Sequence, residues 1–271
     1  MFAKKTALSD KELELKEMNM NKINDESFIE PAGIIIDSDT HGNYIYRVHV
    51  NGTGMGYKLI GTGEPLVMIL GLGGTMDCWP QEVIKRLSEK YLLIIPDNRG
   101  MGYTTSGDET FTCKLLADDI ISLLDALKVK KTHVLGFSMG SMIAQHLLLE
   151  HPERLNKVII YATLTDISKS PIATEGNMPG DPAVRRQLDA ILQWRTPMDK
   201  LPYVTNHVML IVGTSDNVVG VESSKVIASA IPGAWLIQVK NATHLLMNEL
   251  PVEFSGIVLM FLDETFEVKS I

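Results

Sequence analysis

Apolar and polar positions alternate one by one in "YIYRVHVNG", the period of a half-buried strand, and "MGYKLIGTG" follows as its hairpin partner. "LVMIL" is apolar throughout, as in strands covered on both faces of a parallel sheet. From there strand and helix periods take turns. "YLLIIP" (91–96) precedes a stretch whose Leu115, Leu116, Ile120, Leu123, Leu124 and Leu127 share one helical face. "HVLGF" leads into the helical run Met139–His151, "KVIIYA" follows it, and "HVMLIVG" (207–213) precedes "VESSKVIASAI". "AWLIQV" then leads to "VEFSGIVLMFLDE", apolar at helical spacing. This rhythm predicts an α/β fold: a mostly parallel sheet of about eight strands, opened by an antiparallel hairpin, with helices on both faces.

The rhythm also divides the chain. Residues 1–42 are mixed-charge and turn-prone, with apolar positions only at Phe28 and in "GIIIDSD", and read as an N-terminal extension without chemistry. Residues 43–163 and 201–271 form the core domain. Between them, residues 164–200 begin with the irregular, proline-punctuated "LTDISKSPIATEGNMPG" and continue as "DPAVRRQLDAILQW". In the latter Asp181 is placed to cap a helix, Pro182 sits at its first position, and Val184, Leu188, Ile191 and Leu192 form an apolar stripe. An excursion of that size without its own sheet predicts a short lid over the strand ends.

Composition narrows the partners. A formal charge of −8 with no Lys/Arg-rich run argues against nucleic acid and against an anionic membrane surface. No apolar run approaches the ~18 residues of a membrane span. The start, "MFAKKTALSDKELELKEM", lacks the apolar centre of a signal peptide, which predicts a cytoplasmic location. Cys78 and Cys113 are then expected as free buried thiols rather than a disulfide. The expected partner is a small molecule, with the chain a monomer or homodimer.

In a doubly wound sheet, ligands bind beyond the carboxyl ends of the strands, so the residues just after each strand carry the chemistry. Gly136-Phe137-Ser138-Met139-Gly140 lies where a strand becomes a helix; the glycines let the two elements approach while Ser138 takes a sharp exposed turn. A serine hydroxyl needs a base, and the base an orienting acid. His244 sits in the loop after the last strand, whereas His41, His49, His133, His146, His151 and His207 lie at strand starts, on helices or in the early segments. Asp216, in "IVGTSDNVV", follows the preceding strand and completes the chain order Ser, Asp, His. Two carboxylates compete for that role, Asp166 and Asp97; Asp97 and Arg99 in "DNRGMGYTTS" better suit pinning a glycine-rich loop. Acyl transfer also needs amide donors for an oxyanion, and these positions point to Met139 and, in the turn "LGLGGTMDCW", Leu72. That turn lacks the Lys-Ser/Thr of a phosphate-binding loop, and neither a metal nor another cofactor is called for. Gly71, Trp79, Phe137 and Trp194 are candidate pocket residues, each equally suited to plain core.

With "GLGG", "DNRGMG", "GFSMG", "GTSDNVV" and "NATHLLMNELP" in this order, each after a predicted strand, residues 43–265 resemble the α/β-hydrolase fold superfamily, especially small esterase and lactonase-type members such as enol-lactone and aminoacrylate hydrolases. The resemblance implies Ser138 as nucleophile, His244 as base, Asp216 as acid and the Leu72 and Met139 amides as oxyanion hole. It implies hydrolysis of carboxylic esters through an acyl-enzyme. Lactonase, cofactor-free perhydrolase or carbon–carbon bond hydrolase activity on the same residues stands beside it, as does a non-catalytic receptor on the same fold. Many relatives carry histidine where this chain has Leu70, and the lid is short, so the expected pocket is shallow and open to medium or bulky acyl groups.

Overall fold

The alternation in "YIYRVHV" buries Ile45 and Val50 and leaves Tyr44 and His49 exposed. In the computed structural model, which describes residues 29–167 and 180–264, this segment is the central strand of an antiparallel meander. The strands are β1 (Ile34–Ser38), β2 (Tyr44–Val50) and β3 (Thr53–Ile60). Asn51 (φ 44°) and Gly52 (φ 73°) link β2 to β3, the pair of left-handed residues that a tight hairpin turn requires. β3 then pairs antiparallel with β5 (Tyr91–Pro96). The rest of the sheet is parallel: β4 (Glu64–Ile69) lies between β5 and β6 (Thr132–Phe137), followed by β7 (Leu155–Tyr161), β8 (His207–Gly213) and β9 (Trp235–Val239). The strand order is β1-β2-β3-β5-β4-β6-β7-β8-β9, nine among the described residues where the pattern predicts about eight.

The added strand is β1, inside the segment assigned as extension. Three successive isoleucines have no period of two, and on an edge strand Ile34 and Ile35 are 66% and 48% exposed, so neither periodicity nor burial marks it. Residues 1–28 lie outside the described residues, as do 168–179 of the predicted lid.

Seven helices cover the sheet in the described residues: α1 (Gln81–Ser88), α2 (Cys113–Ala126), α3 (Met139–Glu150), α4 (Pro182–Gln193), α5 (Glu222–Ala230), the single turn α6 (Leu246–Glu249) and α7 (Pro251–Asp263). Successive residues of β6 show the two faces. Val134 packs in one cluster with Leu116, Leu123, Met142 and Leu147 of α2 and α3; Leu135 packs in the other with Val83, Leu87, Phe254 and Phe261 of α1 and α7. Each such side chain taken fully from water contributes about 1.5–3 kcal/mol. A sheet covered on both faces holds its strand ends rigidly, which is the scaffold a site needs. Cys78 and Cys113 are both free thiols, but only Cys113 is buried, and burial pushes it up to about 12; Cys78 is exposed because it sits in the turn before α1. Among the described residues no helix is long and apolar enough to cross a membrane.

Candidate active site

Ser138 lies between β6 and α3 with φ 54° and ψ −118°, a conformation that costs a non-glycine residue about 1–3 kcal/mol. The surroundings hold it there. The Ser138 amide donates to the Tyr161 carbonyl at 3.0 Å, and the Ser138 carbonyl accepts from the Ser141 amide (2.9 Å) and hydroxyl (2.5 Å). The flanking glycines are required by contact: a Cβ on Gly136 would lie 2.2 Å from the Gly140 carbonyl oxygen, and one on Gly140 would lie 2.2 Å from the Ile69 oxygen. Strand and helix approach so closely that only hydrogen fits, and the turn between them raises the Ser138 hydroxyl above the sheet.

His244 and Asp216 reach that hydroxyl from loops after β9 and β8. His244 Nε2 is 3.1 Å from Ser138 Oγ, and His244 Nδ1 is 2.9 Å from Asp216 Oδ2. Asp216 Oδ1 accepts from the Val218 and Val219 amides at 2.9 and 3.0 Å. Burial pushes the Asp216 carboxyl upward, but the His244 ring and those amides outweigh it and hold the group below its ordinary value. Its side chain is fully buried while that of His244 keeps 14% exposure, so the carboxylate is shielded from solvent and the imidazole edge is reachable from it. The competing Asp166 instead pairs with Arg195, 3.1 Å away. Tyr161, fully buried, donates its hydroxyl to the His244 carbonyl at 2.6 Å, and the Phe137 ring stacks on Tyr161 (4.8 Å) and tilts against His244 (5.0 Å).

The turn after β4 faces the same serine. A Cβ on Gly71 would be 2.9 Å from Ser138 Cβ and 3.4 Å from its Oγ. Within the turn, the Gly74 amide donates to the Gly71 carbonyl at 3.2 Å and the Gly73 amide to Gln187 Oε1 at 2.9 Å. Among the described residues no protein acceptor takes the Leu72 or Met139 amide. The turn continues to Met76, whose amide donates to Asp97 Oδ1 at 2.6 Å; Asp97 Oδ2 accepts from the Tyr103 amide at 2.7 Å. Burial raises the Asp97 carboxyl to about 6 against the pull of these amides. Arg99, fully buried, is held by Asp119 at 2.7 and 2.9 Å and by Glu109 at 2.8 Å. Asp97 and Arg99 thus pin the glycine-rich loop rather than contact His244.

The alpha/beta hydrolase fold family matches residues 64–204, more than half of the chain, from β4 through α4. The chain belongs to the alpha/beta hydrolase fold family. BpoC of Mycobacterium tuberculosis, named for a non-heme bromoperoxidase, is 37% identical over 110 residues, 40% of this chain and 42% of that protein. 3-Oxoadipate enol-lactonase 2 of Acinetobacter baylyi is 30% identical over 118 residues, 43% of this chain and 44% of that protein. The match therefore spans less than half the length of these relatives. Among solved structures, the enol-lactonase from Burkholderia xenovorans superposes with a TM-score of 0.72 at 21% identity, over 80% of this chain and all of that one, a likeness of fold.

Within this alpha/beta hydrolase the remaining candidate residues separate. Gly71 abuts Ser138, and Phe137 abuts His244. Trp79 and Trp194, 1% and 8% exposed, belong to the hydrophobic cores on opposite faces of the sheet. A cavity of about 590 Å³ opens at the other rim, among strand starts including Glu64, Tyr91, His133 and Lys157, and has no part in the Ser138 site. No cluster of His, Cys, Asp and Glu suited to a metal ion occurs among the described residues. Two residues of the site escaped sequence pattern. Tyr161 carries no motif. Gln187 left a trace: it falls on the buried stripe of α4, three residues after Val184 and four before Ile191, a polar side chain where the period calls for an apolar one.

Proposed function

We propose that this alpha/beta hydrolase cleaves carboxylic esters through an acyl-serine intermediate. The unbroken hydrogen-bonded line from Asp216 through His244 to Ser138 carries the proposal. His244 Nε2 takes the hydroxyl proton as Ser138 Oγ attacks the ester carbonyl, and Asp216 holds the ring in the needed tautomer and stabilises the imidazolium. The carbonyl oxygen becomes an oxyanion facing the Leu72 and Met139 amides, each worth about 3–4 kcal/mol to the transition state. Collapse breaks the bond to the alcohol, which leaves with the proton from His244. Water then attacks the acyl-serine with His244 again as base, freeing the acid and restoring the serine.

A lactone is a cyclic ester, and the segment shared with a protein named as an enol-lactonase supports lactones as a second substrate class. Fluorophosphonate labelling and turnover of nitrophenyl esters and lactones test the reading together. We expect labelling at Ser138 with steady turnover, lost about 10⁴-fold in kcat in Ser138→Ala and His244→Ala, non-additively. Asp216→Asn is expected to cost less and Asp166→Asn almost nothing. Labelling without turnover would make the chain a receptor on a hydrolase fold.

A further inference from the structure

The turn that carries Leu72 is built from Gly71-Leu72-Gly73-Gly74, the sequence least able to hold its own shape, since glycine gives up the most backbone freedom on ordering. An oxyanion donor has to stand still within a few tenths of an ångström. Peptide planarity shows what is needed: the Leu72 amide shares a plane with the Gly71 carbonyl, and the Gly73 amide shares the next plane with the Leu72 carbonyl. Fixing both planes fixes both dihedrals of Leu72. The first plane is held from within the turn, by the Gly74 amide on the Gly71 carbonyl. The second is held from 114 residues away, by Gln187 of α4.

We infer that Gln187 is a positioning residue for the oxyanion turn, locking the Leu72–Gly73 peptide so that the Leu72 amide stays aimed at the Ser138 site. Its orientation is unambiguous, because the Gly73 amide can only donate and the Arg99 carbonyl can only accept. Oε1 therefore takes the former at 2.9 Å, and Nε2 gives to the latter at 3.1 Å. Both ends of the side chain are used, and Gln187 is fully buried, so water offers no substitute. The Arg99 end is itself immobile, clamped by Asp119 and Glu109. Gln187 thus transmits the rigidity of the Asp97–Arg99 loop to the one glycine turn that must not move. Its neighbour Arg186 docks the same helix independently, donating to the Gly107 carbonyl at 3.0 Å and to that of Glu109 and lying 4.0 Å over the Phe111 ring. Removing Gln187 therefore frees the turn without undocking α4. Gly73 (φ 70°) faces Val184 of α4, where a Cβ would stand 3.4 Å from Cγ1, so helix and turn are in direct contact at this point.

The inference rests on the acyl-serine reading above, and kinetics of the full chain separate the two. Gln187→Met keeps length and bulk but loses both hydrogen bonds; kcat for a nitrophenyl ester should fall about tenfold or more, with KM changed less than about threefold. Gln187→Glu supplies the same carbonyl and a donating hydroxyl while protonated, and burial favours that form. It should recover most of kcat at neutral pH and add an alkaline decline that the wild type lacks, a pH signature that loss of packing does not produce. Arg186→Ala is the control and should stay within about threefold of wild type. A Gln187→Met kcat within twofold of wild type, or an equal fall in Arg186→Ala, overturns the inference. If Gln187→Met does not fold by circular dichroism, the alkaline limb of Gln187→Glu decides alone, its presence supporting and its absence refuting. A wild type inert toward every ester and toward fluorophosphonate removes the acyl-serine reading and this inference with it, whereas an active wild type with indifferent Gln187 variants removes only this one.

Discussion

Gly71→Ala puts a single methyl group between the Gly71–Gly74 turn, the proposed oxyanion donor, and Ser138, the proposed nucleophile. The added carbon would start 2.9 Å from Ser138 Cβ, and ordinary contact begins near 3.4 Å, so turn and serine must part by about 0.5 Å. Neither partner yields easily. Ser138 is fixed by its hydrogen bonds to Tyr161 and Ser141, and the turn by Gly74 and Gln187. Because a misplacement of about 1 Å costs on the order of a hundredfold in rate, half of that should cost about tenfold to thirtyfold, or roughly 1.4–2 kcal/mol of transition-state stabilisation. The assay is nitrophenyl ester hydrolysis, with kcat and KM resolved, beside thermal melting. Most of the loss should fall on kcat, since the displaced amide meets charge only in the transition state. A Gly71→Ala protein with wild-type kcat would refute the placement of the Leu72 amide at the reacting oxygen.

Two further outcomes concern stability. Gly140→Ala sets a Cβ 2.2 Å from the Ile69 oxygen and 2.8 Å from that of Leu70, so α3 must lift off β4; a cost of about 3 kcal/mol lowers Tm by about 6–12 °C, and a melt within about 2 °C of wild type contradicts the close approach. Asp97, raised by burial to about 6 in the folded chain, gives stability that is complete below the unfolded carboxyl range near 3.8 and lost as pH rises through about 6. Denaturant unfolding between pH 4 and 7 should show a decline of a few kcal/mol at most for the wild type relative to Asp97→Asn, and parallel curves for the two would count against it.

Much of this molecule could be read from its sequence because chemistry and period coincide. Strands β4 to β8 each contain an uninterrupted apolar run, and Ser138, Asp216 and His244 each follow one of the strands β6, β8 and β9, where a parallel sheet presents its loops. The structure then brings those three within hydrogen-bonding distance. What stayed hidden depends on contacts between distant segments. β1 is an exposed edge strand whose isoleucine run has no alternation. Tyr161 acts through the backbone carbonyl of His244, a group every residue has, so no residue type betrays it. Gln187 broke the apolar stripe of α4, but its partners, the Gly73 amide and the Arg99 carbonyl, are again main-chain groups.

The proposed reaction is covalent, with the acyl group of the substrate carried on Ser138. Rapid quench of the protein with a slowly deacylating nitrophenyl ester, followed by peptide mass spectrometry, tests it directly. The expected result is a burst of nitrophenol close to one equivalent and an acyl group on the peptide bearing Ser138, absent in Ser138→Ala and formed in His244→Ala only at a greatly slowed rate. Turnover that leaves Ser138 unmodified, or that survives Ser138→Ala, would contradict it.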